Sequence, residues 1–108
     1  MAVVKQYAIF FVNLDPTLGA EVKKSRPAVI ISPNEMNRYL RTVIIAPITS
    51  TIRIYPSRAG IVLQNRQGQI MLDQIRAIDK TRLIRKVGKL NSAKVVEVKR
   101  ILREMLVD

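Results

Sequence analysis

The segment Leu14-Asp15-Pro16-Thr17-Leu18-Gly19-Ala20-Glu21-Val22-Lys23-Lys24-Ser25-Arg26-Pro27 separates two apolar runs and decides how the N-terminal half folds. Before it, Tyr7-Ala8-Ile9-Phe10-Phe11-Val12-Asn13-Leu14 is rich in aromatic and β-branched residues and reads as a strand. After it, Pro27-Ala28-Val29-Ile30-Ile31 is short and almost wholly apolar, the pattern of a central strand buried on both faces. Pro16 and Gly19 punctuate a connection long enough to serve a purpose of its own. It holds one carboxylate, Glu21, and three cations, Lys23, Lys24 and Arg26. A second polar break, Pro47-Ile48-Thr49-Ser50-Thr51, follows downstream, and the chemistry is expected at these two breaks.

The rest of the pattern is mostly β. Ser32 to Leu40 reads as a short helix, with Ser32 as N-cap, Pro33 first in the helix and Glu35 as capping-box acid. Thr42 to Ala46 reads as a third strand stopped by Pro47, and Ala59 to Leu63 as a fourth. Asn65-Arg66-Gln67-Gly68 reads as a hairpin turn, followed by a fifth strand, Gln69 to Ile78, with polar Asp73-Gln74 in its middle. A single helical turn at Asp79–Arg82, a strand from Leu83 to Val87 and a C-terminal helix from about Ala93 to Leu106, capped by Asn91 or Ser92, complete the chain. On that helix Val95, Val98, Leu102, Met105 and Leu106 share one face. An amphipathic cover for a sheet explains this spacing better than a basic docking surface. No βαβ crossover is present. The expected fold is mostly β with α: a small, strongly curved antiparallel sheet or SH3-like barrel, with a short helix and the C-terminal helix packed outside.

Composition narrows the function. The 108 residues suit one domain spanning 1–108, and 48% hydrophobic content suits a compact core. No apolar run approaches the ~20 residues that cross a bilayer, and the N-terminus lacks a signal-peptide layout. With no cysteine there is no disulfide framework or thiolate metal site. A cytoplasmic protein without membrane contact is expected. The net charge of +11, from 19 Lys and Arg against 8 Asp and Glu, makes a polyanion the first partner to consider. An acidic protein partner is the alternative. Histidine is absent, which removes the usual general base and metal ligand. The few carboxylates are scattered, so no metal and no other cofactor is expected.

Individual side chains then acquire candidate roles. The Arg26 guanidinium is planar, permanently charged and suited to gripping phosphate, although taken alone an Arg-Pro reads as an exposed cation at a strand end. The Thr49 hydroxyl can bond a phosphate oxygen, or merely its own turn. Glu21 could take a proton from a ribose 2′-OH, or pair with Lys23 or Lys24. Tyr55 could stack on a base, flanked by Arg53 and Arg58, or stand exposed in its loop. Asp73 and Gln74 interrupt a strand core and must be hydrogen-bonded, either to hold the first loop or to orient Arg26 or Thr49.

Taken in order, these elements resemble the MazF/PemK family of toxins from type II toxin–antitoxin systems, with the CcdB/PemK-like fold. The similarity lies in Val12-Asn13-Leu14-Asp15-Pro16-Thr17, Gly19-Ala20-Glu21, Arg26-Pro27-Ala28-Val29-Ile30, Ser32-Pro33, Pro47-Ile48-Thr49-Ser50 and Leu72 to Leu83. The resemblance implies a homodimer and a sequence-specific, metal-independent endoribonuclease that cuts single-stranded RNA, mainly mRNA, and so arrests translation and growth. The 2′-OH would attack the adjacent phosphate, leaving a 2′,3′-cyclic phosphate and a 5′-OH. Arg26 and Thr49 fall on the family's catalytic residues, and Glu21 on the acid of its Gly-x-Glu element. Lys23, Lys24, Ser50, Arg53, Tyr55 and Arg58 are the expected RNA contacts, with Asp73 and Gln74 orienting. The implied partner is an acidic, MazE-like antitoxin, with operator DNA bound only through the toxin–antitoxin complex.

Two departures stand out. Gln6-Tyr7 occupies the place of the family's usual Gly-Asp, and Met71 that of an Arg in the PemK/Kid branch, so a mechanism resting on that Arg does not transfer. A CcdB-type gyrase poison shares the barrel, but that class works through a C-terminal helix end with a Trp, and this chain has none. A non-catalytic basic nucleic-acid-binding module would have no need of the Glu21, Arg26 and Thr49 set.

Overall fold

The computed structural model describes residues 3–14 and 25–107. Strands β1 (Ala8–Asn13), β2 (Ser25–Ile30), β3 (Thr42–Thr49), β4 (Arg58–Leu63), β5 (Arg66–Met71), β6 (Arg76–Asp79) and β7 (Leu83–Lys89) form one antiparallel sheet. Helix α1 (Asn34–Tyr39) lies between β2 and β3, and α2 (Ser92–Leu106) follows β7. The order across the sheet is β4-β5-β3-β2-β1-β7, with β6 also on β3, and the sheet curls into a half-barrel.

Alternation along the central strands feeds two apolar clusters. Ile9, Val29, Ala46 and Ile48 join Ile70 and Leu72 in a core closed by Val98 and Ile101 of α2. Ala8, Val12, Ala28, Ile30, Val43 and Ile45 form a second cluster with Ile78. Burial on both faces is why these strands read as unbroken apolar runs. Tyr7 turns into β1 at φ 70°, an unusual conformation for a bulky side chain. Its N–H donates to the Ile30 carbonyl (2.7 Å) and its carbonyl accepts from the Leu90 N–H (2.9 Å). Its ring packs on the first cluster, where burial pushes the phenol pKa up.

Strand β3 does not stop at Pro47 but continues to Thr49. The Ile44 carbonyl accepts from the Ile31 N–H, so residues 44, 46 and 48 direct their backbone groups toward β2. Pro47 therefore presents its missing donor to the opposite edge. There β6 pairs with residues 42–45 and β5 with 48–49, and Pro47 falls in the gap between the two ladders. The same alternation turns Pro27 toward β3. Pairing Pro27 with Ile48 would need the N–H that proline lacks, and the β2–β3 ladder ends at Ala28–Pro47.

Other expectations are corrected. Strand β2 starts at Ser25, so Arg26 lies inside it, opposite Val12, rather than at its entrance. Ser32 does not cap α1; Pro33 occupies that position. The Ser32 hydroxyl is buried, where it donates to the Asn37 side chain and accepts from the Ile44 N–H. The hairpin turn is Gln64-Asn65, at φ 52° and 64°, with Leu63 facing Arg66, the arrangement of a type I′ turn. Gly68 is needed inside β5 instead, because a Cβ there would stand 2.8 Å from the Thr49 carbonyl oxygen. The expected fifth strand is two, β5 and β6, separated by a 3-10 turn at Leu72–Gln74. Asn91 caps α2, its side chain accepting from the Lys94 N–H at 2.8 Å. The buried residues of α2 are Val98 and Ile101, whereas Met105 and Leu106 are exposed, so the apolar face is covered only in the middle of the helix.

Asp73 serves the fold at the start of β4. Its carboxylate accepts from Ser57 Oγ (3.1 Å) and Arg58 Nε (3.2 Å), and the Arg58 guanidinium lies 4.9 Å from the Tyr55 ring centre. Partial burial pushes the Asp73 pKa up, but hydrogen bonds from Arg58, its own backbone and Ser57 outweigh it, and the net shift is downward. A depressed carboxylate stabilises the fold above the unfolded-state pKa of about 3.9 and loses that contribution as pH falls through its lower folded value.

Two stability measurements check this packing. Ile101→Ala should lower the unfolding free energy by about 2–5 kcal/mol. Met105→Ala should change it by less than ~0.5 kcal/mol in the same urea titration. Asp73→Asn should cost about 1 kcal/mol at pH 7, discounted for its partial exposure. At pH 3 the gap from the unsubstituted protein should shrink, and an equal gap at both pH values would contradict the ion-pair role.

Candidate active site

The end of the β2–β3 ladder opens the site. The registers Ala28–Pro47 and Ile30–Ile45, continued by one step of two residues, set Arg26 opposite Thr49. Without Pro27's donor the strands are free to part there. A cleft of about 480 Å³ lies at this place, lined by Phe11, Ser25, Arg26, Thr49, Ser50 and Thr51 and by Gln64, Arg66 and Gln67 of the β4–β5 hairpin. Its size is in the ~300–1,000 Å³ range of ligand pockets.

Within the cleft Arg26 is half-buried in β2, its backbone fixed by pairing with Val12. The Thr49 Oγ1 accepts the Thr51 N–H at 3.1 Å. A hydroxyl has one proton and two lone pairs, so this turn bond leaves the proton to donate into the cleft. The local turn and the ligand-facing roles of Thr49 are thus compatible. Ser50 is exposed beside it. A permanent cation and a fixed hydroxyl donor on facing strands form a site suited to the nonbridging oxygens of a phosphodiester.

The structure thus brings together Arg26, Thr49 and Ser50. Glu21, Lys23 and Lys24 lie outside the described residues. The 51–58 loop is held elsewhere. The Gln69 side chain donates to the Arg53 carbonyl (2.8 Å) and accepts from the Arg53 N–H (3.0 Å), closing that loop onto β5. The Arg53 guanidinium makes no hydrogen bond among the described residues. Tyr55 is exposed at 50%, with Arg58 at its ring. The Arg58 side chain is only 10% exposed and spends its charge on Asp73, which fits an anchor for the loop better than an RNA contact. Asp73 bonds neither Arg26 nor Thr49, and Gln74 is exposed. Among the described residues no three His, Cys, Asp or Glu side chains stand together as metal ligands.

Sequence reading missed Phe11, Gln64, Arg66 and Gln67. Sequence reading places Phe11 only in a strand and Arg66 and Gln67 in a turn, and it gives Gln64 no role. No local signal marks these four residues, because the two-residue turn at Gln64-Asn65 emerges only from the strand register.

Comparison with known proteins agrees with the geometry. Residues 5–106 match the family model described as PemK-like, MazF-like toxin of type II toxin–antitoxin system. The chain is 32% identical over 101 residues to Endoribonuclease MazF of Staphylococcus epidermidis, covering 88% of this chain and 84% of that one. It is 33% identical over 107 residues to Endoribonuclease EndoA of Bacillus subtilis, covering 94% and 92%. In fold it superposes on the crystal structure of MazE–MazF from Deinococcus radiodurans with a TM-score of 0.84 at 23% identity, over 98% of this chain and 97% of that one. The curled sheet, the cleft where its central ladder ends and this similarity along nearly the whole chain make the protein a member of the PemK-like, MazF-like toxins of type II toxin–antitoxin systems.

Proposed function

We propose that this MazF-like endoribonuclease toxin cuts single-stranded RNA in the Arg26–Thr49 cleft, by attack of a ribose 2′-OH on the adjacent phosphate without a metal ion. The observation that carries the reading is that Arg26 and Thr49, each just beyond the last β2–β3 pair, line one cleft. In the reaction the O2′–P bond forms and the P–O5′ bond breaks, giving a 2′,3′-cyclic phosphate and a 5′-OH. The phosphorane carries more negative charge on its nonbridging oxygens than the substrate does, and donors fixed there lower the barrier. Arg26 supplies a permanent positive charge and Thr49 a directed O–H. Arg26 stays protonated and is therefore no base. Glu21 is the residue proposed to accept the 2′-OH proton.

The partners proposed follow from charge and kinship. An acidic antitoxin suits a chain of net charge +11, and the Deinococcus radiodurans neighbour is titled a MazE–MazF complex. A homodimer within the cytoplasm completes the proposal. The +11 charge also gives RNA binding a steep salt dependence, since each neutralised phosphate releases counterions.

Incubation of the protein with a long, varied single-stranded RNA in EDTA should yield fragments with 5′-OH ends; intact RNA would sink the proposal. Arg26→Ala should lower kcat by about 10²–10³-fold with the thermal midpoint little changed. Thr49→Val should cost less, because one neutral donor is lost. A wild-type rate in Arg26→Ala would remove the site assignment while leaving the family unaffected. RNA affinity measured between 50 and 200 mM salt should fall on the order of 10³-fold or more if six or more phosphates are contacted.

A further inference from the structure

Three polar side chains of the β4–β5 hairpin, Gln64, Arg66 and Gln67, belong to residues that line the cleft together with Arg26 and Thr49. All three are exposed, and none makes a hydrogen bond among the described residues. Their neighbour Gln69 shows the contrast: both ends of its amide are consumed by the Arg53 backbone. The hairpin is also held firmly. Its tip is a two-residue turn with both residues at positive φ. Gly68 lets β5 approach the Thr49 carbonyl more closely than any side chain would allow. Thr49 pairs directly with Gln69, so the tip keeps a fixed distance from the hydroxyl proposed to hold the phosphate.

We propose that this hairpin tip reads the RNA sequence at the cut, with Gln64 and Gln67 hydrogen-bonding base edges and Arg66 gripping a neighbouring phosphate. The inference rests on the RNA-cleaving role of the cleft set out above. A primary amide offers donors and an acceptor in one plane, the pattern that matches a base edge. Bases of single-stranded RNA are unstacked and present their Watson–Crick edges to such groups. A guanidinium adds affinity without sequence information. Gln64 and Gln67 are therefore specificity residues and Arg66 an affinity residue, on a rigid element that the reacting phosphate does not need for its chemistry.

The test compares the unsubstituted protein, Gln64→Ala/Gln67→Ala and Arg66→Ala on a randomised single-stranded RNA pool, with sequencing of the 5′-OH ends. The double variant should cut a broader or different set of sequences, with preference for the original motif reduced about 10-fold or more. Its rate on the newly accepted sequences should stay within a few-fold of the original. Arg66→Ala should keep the motif, weaken binding to all sequences alike and lower the salt slope by about one unit. An unchanged motif in the double variant, whether its rate is intact or uniformly reduced, would overturn the inference while cleavage itself stands. Failure of the unsubstituted protein to cut any RNA would instead overturn the cleavage reading and this one with it. Circular dichroism and the thermal midpoint verify that both variants fold, as exposed hairpin residues should allow.

Discussion

The structure depends on where the ladder between its two central strands is allowed to end. Strands β2 and β3 pair through Ile30–Ile45, Val29–Ala46 and Ala28–Pro47, and the next hydrogen-bonded pair would need a donor that Pro27 does not have. On the other edge of β3, Pro47 sits where one partner strand gives way to another. Neither proline breaks its strand: Pro47 turns its missing N–H to the gap between two ladders, and Pro27 turns its own to the point where the β2–β3 ladder ends. The sheet stays continuous through Ala28, Val29 and Ile30, all fully buried, and opens one step later. Arg26 and Thr49 then line the cleft at that opening.

The same constraint links packing to chemistry. Two apolar clusters pack on the central strands, which carry Arg26 and Thr49 at their ends. Gly68 draws the outer hairpin against Thr49, and Gln69 ties the following loop to that hairpin. Asp73, with Arg58, Ser57 and the Tyr55 ring, secures the loop's far end. The net positive charge is thereby divided. Arg58 serves the fold, whereas Arg26 and Arg66 line the cleft.

Much of this was legible in the residues. The apolar runs at Tyr7–Leu14 and Pro27–Ile31, the lack of βαβ units and the amphipathic C-terminal segment led to the curled antiparallel sheet with an outer helix. The order Arg26-Pro27, Pro47-Ile48-Thr49 led to the family. Where reading failed, a residue had a tertiary use that its local signal hid. Ser32 looked like a cap because Ser-Pro-Asn-Glu fits a helix start, but its hydroxyl is drawn into a buried network with Asn37. Gly68 looked like a turn residue, but its lack of a side chain is used against another strand. Pro47 looked like a stop, because its neighbours on either edge were unknown.

The sequence by itself determined the strand-forming runs, the high net positive charge, the absence of histidine and cysteine, and which cation and hydroxyl the cleft could hold. These follow from side-chain chemistry and local backbone preference, which each residue carries with it. Only the tertiary structure decided that Arg26 and Thr49 line one cleft, that Arg58 is committed to Asp73, and that Gln64, Arg66 and Gln67 line the same cleft. Those relations join residues far apart in the chain. They are set by strand register and by which edge each backbone donor faces, neither of which is a property of any single segment.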